Sequence, residues 1–266
     1  MPSLEICLYE IMELYFSHKG NTYCADLTAG RDLTIPINPD GPRAWYVPQV
    51  RISPVLNQHF TGSVALGGRV NFNDVFFNPH GHGTHTETMG HITKHPMPIA
   101  DLSRFFFPAQ LISLAPECCS VQQGIAQIDD QIITAQQIRT ALHDNGFAPE
   151  ALLIRTLPND STKLHRNYSN TNFPYLAADA AAYLADNHVY HLLLDLPSVD
   201  REEDGGELAA HHNFWRNGDA SRAHCTITEM IFVPNDIMDG NYLVHIVPAA
   251  FENDAAPSRI MLYPLR

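Results

Sequence analysis

The pattern of apolar and polar positions changes character along the 266-residue chain. In the N-terminal third, short β-branched and apolar runs at residues 33–36, 63–66 and 70–72 are punctuated by proline and glycine. Such alternation predicts strands and turns. Further on the period lengthens. Thr134 and Gln137 have capping-box spacing, in which hydroxyl and amide satisfy each other's backbone donors, and Ile138 and Leu142 follow at helical spacing. Residues 151–154 form an apolar run short enough for a buried strand. Residues 176–186 are alanine-rich and predict a helix, with Asn187 as a left-handed cap. Residues 188–194 read as a second buried strand, running into Asp195-Leu-Pro-Ser198-Val-Asp200. Strand, helix, strand in that order predicts a parallel pair joined by a crossover. Ligands gather where strands of such sheets end, so the segment after Leu194 is a candidate wall of a site. The acidic stretch 200–207 is then either a mobile lid or a solvated loop.

Composition narrows the class. The chain is 45% hydrophobic and 17% charged, with no internal repeat and no Gly/Ser linker, so one globular domain over 1–266 is expected. No run of eighteen apolar residues exists, which argues against a transmembrane helix. The first residues carry acids where a signal peptide carries bases, so a cytoplasmic location is expected. With 29 acids against 16 bases the formal charge is −13. That surface cannot neutralise phosphate, which argues against nucleic acid and anionic membranes as partners. Five cysteines lack CxxC spacing and read as reduced thiols packed as small hydrophobes.

Fifteen histidines is an unusual count, and it brings metal chemistry forward. Residues 78–91 read NPHGHGTHTETMGH, which gathers His80, His82, His85, Glu87 and His91. Neutral imidazole and carboxylate are ligands of zinc, manganese and iron. Gly81, Gly83 and Gly90 argue against a regular helix and for a tight loop around an ion. No HExxH is present, so a zincin helix is not indicated. A second group, His211, His212, His224 and Glu229, is where further donors would be sought.

These segments resemble the metal-dependent cyclase family, which includes kynurenine formamidases and isatin hydrolases. The hallmark is His-x-Gly-Thr-His-x-Asp, then a histidine four residues on; here Gly83, Thr84, His85, Glu87 and His91 fall in register. The resemblance continues through Asp26-Leu27-Thr28, residues 151–156, residues 195–200, and His211 with Glu229. Three departures stand out. Gly81 occupies the place of the first histidine, so either His80 reaches the ion across a one-residue bulge, or His82 serves, or that ligand is missing. Glu87 replaces the aspartate, and a short insertion is expected around residues 217–221. His211 is favoured slightly over His212.

The resemblance implies a single mixed, β-rich α/β domain with a barrel-like sheet flanked by helices. It implies a homo-oligomer acting on a small molecule, and residues 105–108 (Phe-Phe-Phe-Pro) are either core or interface. The implied reaction is hydrolysis of an amide-type C–N bond, an N-formyl group or a cyclic amide, by water activated on a divalent ion. Zinc or manganese, one or two per chain, would be held by His80, His85, Glu87, His211 and Glu229. His91 would carry the proton to the leaving nitrogen. A cyclase or dehydratase on the same scaffold, or a non-catalytic metal- or small-molecule-binding protein, are the alternatives. No Gly-x-Ser-x-Gly elbow supports a serine hydrolase.

Overall fold

Two apolar runs that lie side by side organise the molecule. The structure, a computed structural model, describes residues 12–120, 126–142 and 146–266. Its main sheet has eight strands: β1 (Arg31–Asp32), β2 (His85–Thr88), β3 (Phe106–Leu114), β4 (Ala151–Thr156), β5 (His191–Leu194), β6 (Thr226–Glu229), β7 (Gly240–Pro248) and β8 (Ala255–Pro264). β3, β4, β5 and β6 are parallel neighbours in that order. β2 and β8 continue the sheet antiparallel, and β7 pairs with both β8 and β3. Seven strands therefore close into a barrel, with β1 appended to β8.

The continuous runs in β4 and β5 follow from burial on both faces, which removes the usual polar alternation. Leu152, Ile154, Leu192 and Leu194 face the helices α1 (Ala135–Ala141), α2 (Ala178–Asp186) and α3 (Ala209–Phe214) in one apolar cluster. Ala151, Leu153 and Leu193 alternate to the other side, packing with Phe107, Leu111, Val244 and Ile260 inside the barrel. Each fully buried leucine or isoleucine contributes about 1.5–3 kcal/mol.

The expected crossover is present, since β4 and β5 pair in parallel with α2 between them. The capping box at α1 is formed both ways: the Gln137 N–H donates to Thr134 Oγ1 at 3.2 Å, and the Thr134 N–H to Gln137 Oε1 at 3.0 Å. Asn187 is not left-handed; its φ is −94° and its side-chain amide donates to the Tyr183 carbonyl at 2.8 Å. The left-handed residue is His188, at φ +60°.

The N-terminal third departs further from expectation. Residues 33–36 are extended but make a single bridge, Thr34 to Ile231, rather than a ladder. Val64–Leu66 is a 3-10 turn closed by Gly67 at φ +88°, and residues 70–72 lie outside the strands. Proline and glycine interrupt each run before a ladder can form. The pairing falls instead on Arg51–Pro54 with Asn73–Phe76, and on Leu56–Asn57 with Phe60–Thr61. Within residues 52–76, Ile52, Leu56, Phe60, Val64, Leu66, Val70, Phe72, Val75 and Phe76 are each 38–62% exposed, so this arm contributes little to the core. Of the phenylalanine run, Phe107 is core while Phe105 and Phe106 are exposed. No helix among the described residues is long and apolar enough to cross a membrane.

Candidate metal centre

β2 carries the motif, and a strand turns alternate side chains to one face. His85 and Glu87 share that face and are buried, at 0% and 1% exposure. The turn before them is clamped through its backbone. Gly83 sits at φ +60°, where a Cβ would come within 2.8 Å of the Ile35 carbonyl. Thr84 Oγ1 donates to the Met230 carbonyl at 2.5 Å and accepts from the Ile35 N–H at 2.7 Å. Thr86, on the opposite face, bonds Thr228 across β6 at 2.8 Å.

Around Glu87 the donors converge. His80 Nδ1 is 3.1 Å from Glu87 Oε2, and His211 Nε2 is 3.0 Å from Glu87 Oε1. His91 Nδ1 lies 3.9 Å from Glu87 Oε2, and His85 Nε2 is 3.3 Å from Glu229 Oε2. Glu229 Oε1 accepts the Val199 N–H at 3.0 Å, so this carboxylate also pins the wall that follows β5. Overlapping sets bring candidate ligand atoms within 4.8 Å of one another: His80, His85 and Glu87; Glu87, His91 and His211; His80, His91 and Asp254.

The outward nitrogens of three rings are also held. His80 Nε2 meets Asp254 Oδ2 at 2.9 Å, His85 Nδ1 donates to the Gly83 carbonyl at 3.1 Å, and His211 Nδ1 meets Asp200 Oδ2 at 2.5 Å. Metal-binding histidines commonly donate their second N–H in this way, which fixes the tautomer. His85 gives the test of fit. With Nδ1 donating to Gly83, its buried Nε2 presents a lone pair and makes no hydrogen bond. It faces a carboxylate oxygen 3.3 Å away. Two ligand atoms each about 2.0–2.1 Å from a tetrahedral zinc stand about 3.3 Å apart. The residues present therefore fit a divalent cation.

The electrostatics agree. Burial works against a charged His80, yet its hydrogen bonds to Asp254 and Glu87 raise it to about 10. Burial likewise opposes His211, which Asp200 and Glu87 hold well above its ordinary value. Burial would raise Glu87, but His91, His211 and His80 hold it well below the usual carboxylate range. Protons on these rings compensate the carboxylates wherever no cation does.

His82 stands apart. Its Nδ1 accepts the Asn78 N–H at 2.9 Å and its Nε2 donates to the Pro48 carbonyl at 2.8 Å, so both nitrogens are spent on backbone. His212 and His224 also lie outside the clustered donors. Asp200 and Asp254 were not among the sequence candidates as partners. Asp200 ends a segment marked as a wall, whereas Asp254 had no local signal.

Residues 200–207 form a loop that is exposed at Glu203 and at 205–207, as a solvated loop is, and anchored at its first residue, Asp200. Asp200 is 1% exposed and accepts the N–H groups of Ala210 and His211 at 2.6 and 3.1 Å. It caps α3 from a distance, because the residue at the cap, Leu208, has no polar side chain. Arg201 is tied to Asp130 at 2.9 Å, and Asp204 accepts the N–H groups of Gly206 and Leu208 at 2.8 and 2.7 Å. The loop walls a cavity of about 300 Å³, with Trp45, His80, His91 and Ser198 among its lining residues. Trp45, Tyr46, Leu208 and Met230 all have positive φ around it. Such strained backbone persists where surrounding structure over-determines it, often at functional sites.

Residues 31–201 match the family described as putative cyclase. The kynurenine formamidase of Bacillus mycoides is 33% identical over 117 residues, 44% of this chain and 50% of its own length. That of Bacillus cytotoxicus is 26% identical over 201 residues, 74% of this chain and 82% of its own. This chain thus spans about half the length of the first relative and most of the second. Among solved structures, a predicted metal-dependent hydrolase from Bacillus stearothermophilus aligns with a TM-score of 0.60 at 21% identity, covering 88% of this chain and 97% of that one. Isatin hydrolase A from Labrenzia aggregata aligns with a TM-score of 0.63 at 16% identity, covering 89% and 94%. At these identities the structures share the fold. The family match runs from β1 through β5 to the wall loop and includes His80, His85, Glu87 and His91, so the chain belongs to the cyclase family.

Proposed function

We propose that this protein is a metal-dependent hydrolase of amide-type C–N bonds, acting on an N-formyl group or a cyclic amide of a small molecule. The observation that carries this reading is the buried, unbonded Nε2 of His85 facing Glu229 beside a cavity that also holds His91. Relatives named kynurenine formamidase and isatin hydrolase supply the substrate class. In this reading His80, His85, Glu87, His211 and Glu229 hold zinc or manganese, one or two ions per chain. The ion would lower the pKa of water toward ~7 and polarise the substrate carbonyl.

The chain's own residues do the rest. Glu87 sits at the hub and balances the positive charge, while Asp200, Gly83 and Asp254 keep the rings turned inward. His91, on the cavity wall, carries a proton to the leaving nitrogen, a role worth ~10²–10⁴-fold. Trp45 and the pinned loop shield the reacting atoms from bulk water. We also take residues 1–266 as one cytoplasmic domain, and the apolar arm as the contact with a second copy. Its nine exposed apolar side chains, which join no buried cluster, are the surface that contact would cover.

The test is metal analysis of freshly purified protein, followed by assay on N-formylkynurenine and isatin. Bound zinc or manganese, with turnover abolished by chelation and restored by the ion, is the expected result. Metal-loaded protein that turns over neither amide would overturn it. Cyclisation or dehydration with no free amine or formate released would favour the second reading, which the family's description as a putative cyclase keeps in view.

A further inference from the structure

Asp254 lies outside the motif and outside the second histidine group, yet the fold delivers it to the centre. It ends the connection from β7 to β8, and its neighbour Ala255 is in register with Glu87 on β2. Its carbonyl accepts the Thr88 N–H at 2.9 Å and is 3.3 Å from Thr88 Oγ1, while the preceding carbonyl, of Asn253, accepts the Ile99 N–H at 2.8 Å. The backbone is therefore fixed on one side to the motif segment at Thr88 and on the other to the turn at Ile99. One oxygen, Oδ2, then meets two imidazoles: His80 Nε2 at 2.9 Å and His91 Nδ1 at 3.2 Å. The two rings lie 4.5 Å apart between centroids.

The choice of nitrogen is what matters. Holding His80 by Nε2 turns its Nδ1 to Glu87. Holding His91 by Nδ1 leaves Nε2, on the far side of that ring, as the atom that can exchange a proton with substrate. We propose that Asp254 is a positioning residue that couples the ligand His80 to the proton carrier His91, holding His80 by Nε2 so that Nδ1 meets Glu87 and holding His91 by Nδ1. This rests on the metal-hydrolase reading above. The competing role is that Asp254 binds the ion itself, since it forms a possible ligand set with the same two rings.

The experiment measures zinc affinity of metal-stripped protein by competition with a chromophoric chelator, for wild type, Asp254→Asn, His80→Ala and the double variant. Removing a carboxylate that orients a ligand histidine typically weakens metal binding 10–100-fold, and about that loss is expected for Asp254→Asn. In the His80→Ala background the same substitution should cost nothing further. In the single variant kcat should fall with KM little changed, and Asp254→Glu should recover part of both losses. An equal further loss in the His80→Ala background would make Asp254 a ligand and overturn the positioning role. Wild-type affinity and kcat in Asp254→Asn would overturn it as well. A readout needing no substitution is the ¹⁵N signature of the zinc-loaded wild type. Nδ1–H on His91 is expected, and Nε2–H there would refute the assignment. If His80→Ala and His85→Ala both bind zinc as wild type does, the metal reading itself fails, separately from Asp254.

Discussion

Glu87 is the residue on which the centre turns. Three imidazoles approach its two oxygens, at 3.0, 3.1 and 3.9 Å, and it is 1% exposed. An unpaired carboxylate at that depth would be strongly disfavoured, so the rings and the acid require one another or a cation. Two substitutions separate holding the ion from using it. Glu87→Gln removes the charge at the hub and should yield protein with little bound metal and no turnover. His91→Ala should keep near-normal metal content while kcat falls ~10²–10⁴-fold. Metal analysis alongside kinetics reads both, and near-normal turnover in His91→Ala would remove its assigned role.

At the scale of elements, β5 has its own pH dependence at the end opposite the metal centre. His191 starts the strand, lies tilted against Phe107 at 3.7 Å between centroids, and pairs its Nδ1 with Thr226 Oγ1 at 2.9 Å. Burial pushes it down to about 3, with nearby His224, Arg104 and Arg222 adding to the effect. The folded value lies below the ordinary one, so the neutral ring's contribution is complete above about pH 6.5. It is lost as pH falls toward 3. Denaturant melts between pH 6 and 4 should show a slope about 1.4 kcal/mol per pH unit shallower in His191→Asn than in wild type. Identical slopes would show that the ring charges without cost. In α1 the capping box predicts that Thr134→Ala costs about 1 kcal/mol in the same measurement.

At the scale of the whole molecule, the arm at residues 51–76 contrasts with the barrel. It consists of two short two-stranded ladders, one nested within the other, a form marginal by itself in water, and its apolar side chains join none of the buried clusters. Light scattering should therefore find a dimer or larger assembly. Phe72→Glu with Val75→Glu should shift it toward monomer. A monomeric wild type at micromolar concentration would dispose of that assignment. The nearby cleft of about 420 Å³, lined by Val47, Phe76, Phe77 and His82, borders this arm and holds none of the clustered carboxylates.

What the sequence determined by itself was local. The apolar runs at 151–154 and 188–194 (of which the ladder takes only His191–Leu194), the alanine-rich helix between them and the capping box at Thr134 follow from contacts within a few residues, where pattern and propensity act directly. Four of the clustered donors, His80, His85, Glu87 and His91, were legible because one short segment carries them. The rest needed the closed barrel. Whether His80 or His82 turns inward depends on what stands behind each ring: the Asp254 carboxylate, far along the chain, behind His80, and the Pro48 carbonyl behind His82. Strand register brings Glu229 opposite His85, and the β7–β8 turn brings Asp254 between His80 and His91. Such placements depend on pairings across more than 140 residues, whose closure no local pattern encodes.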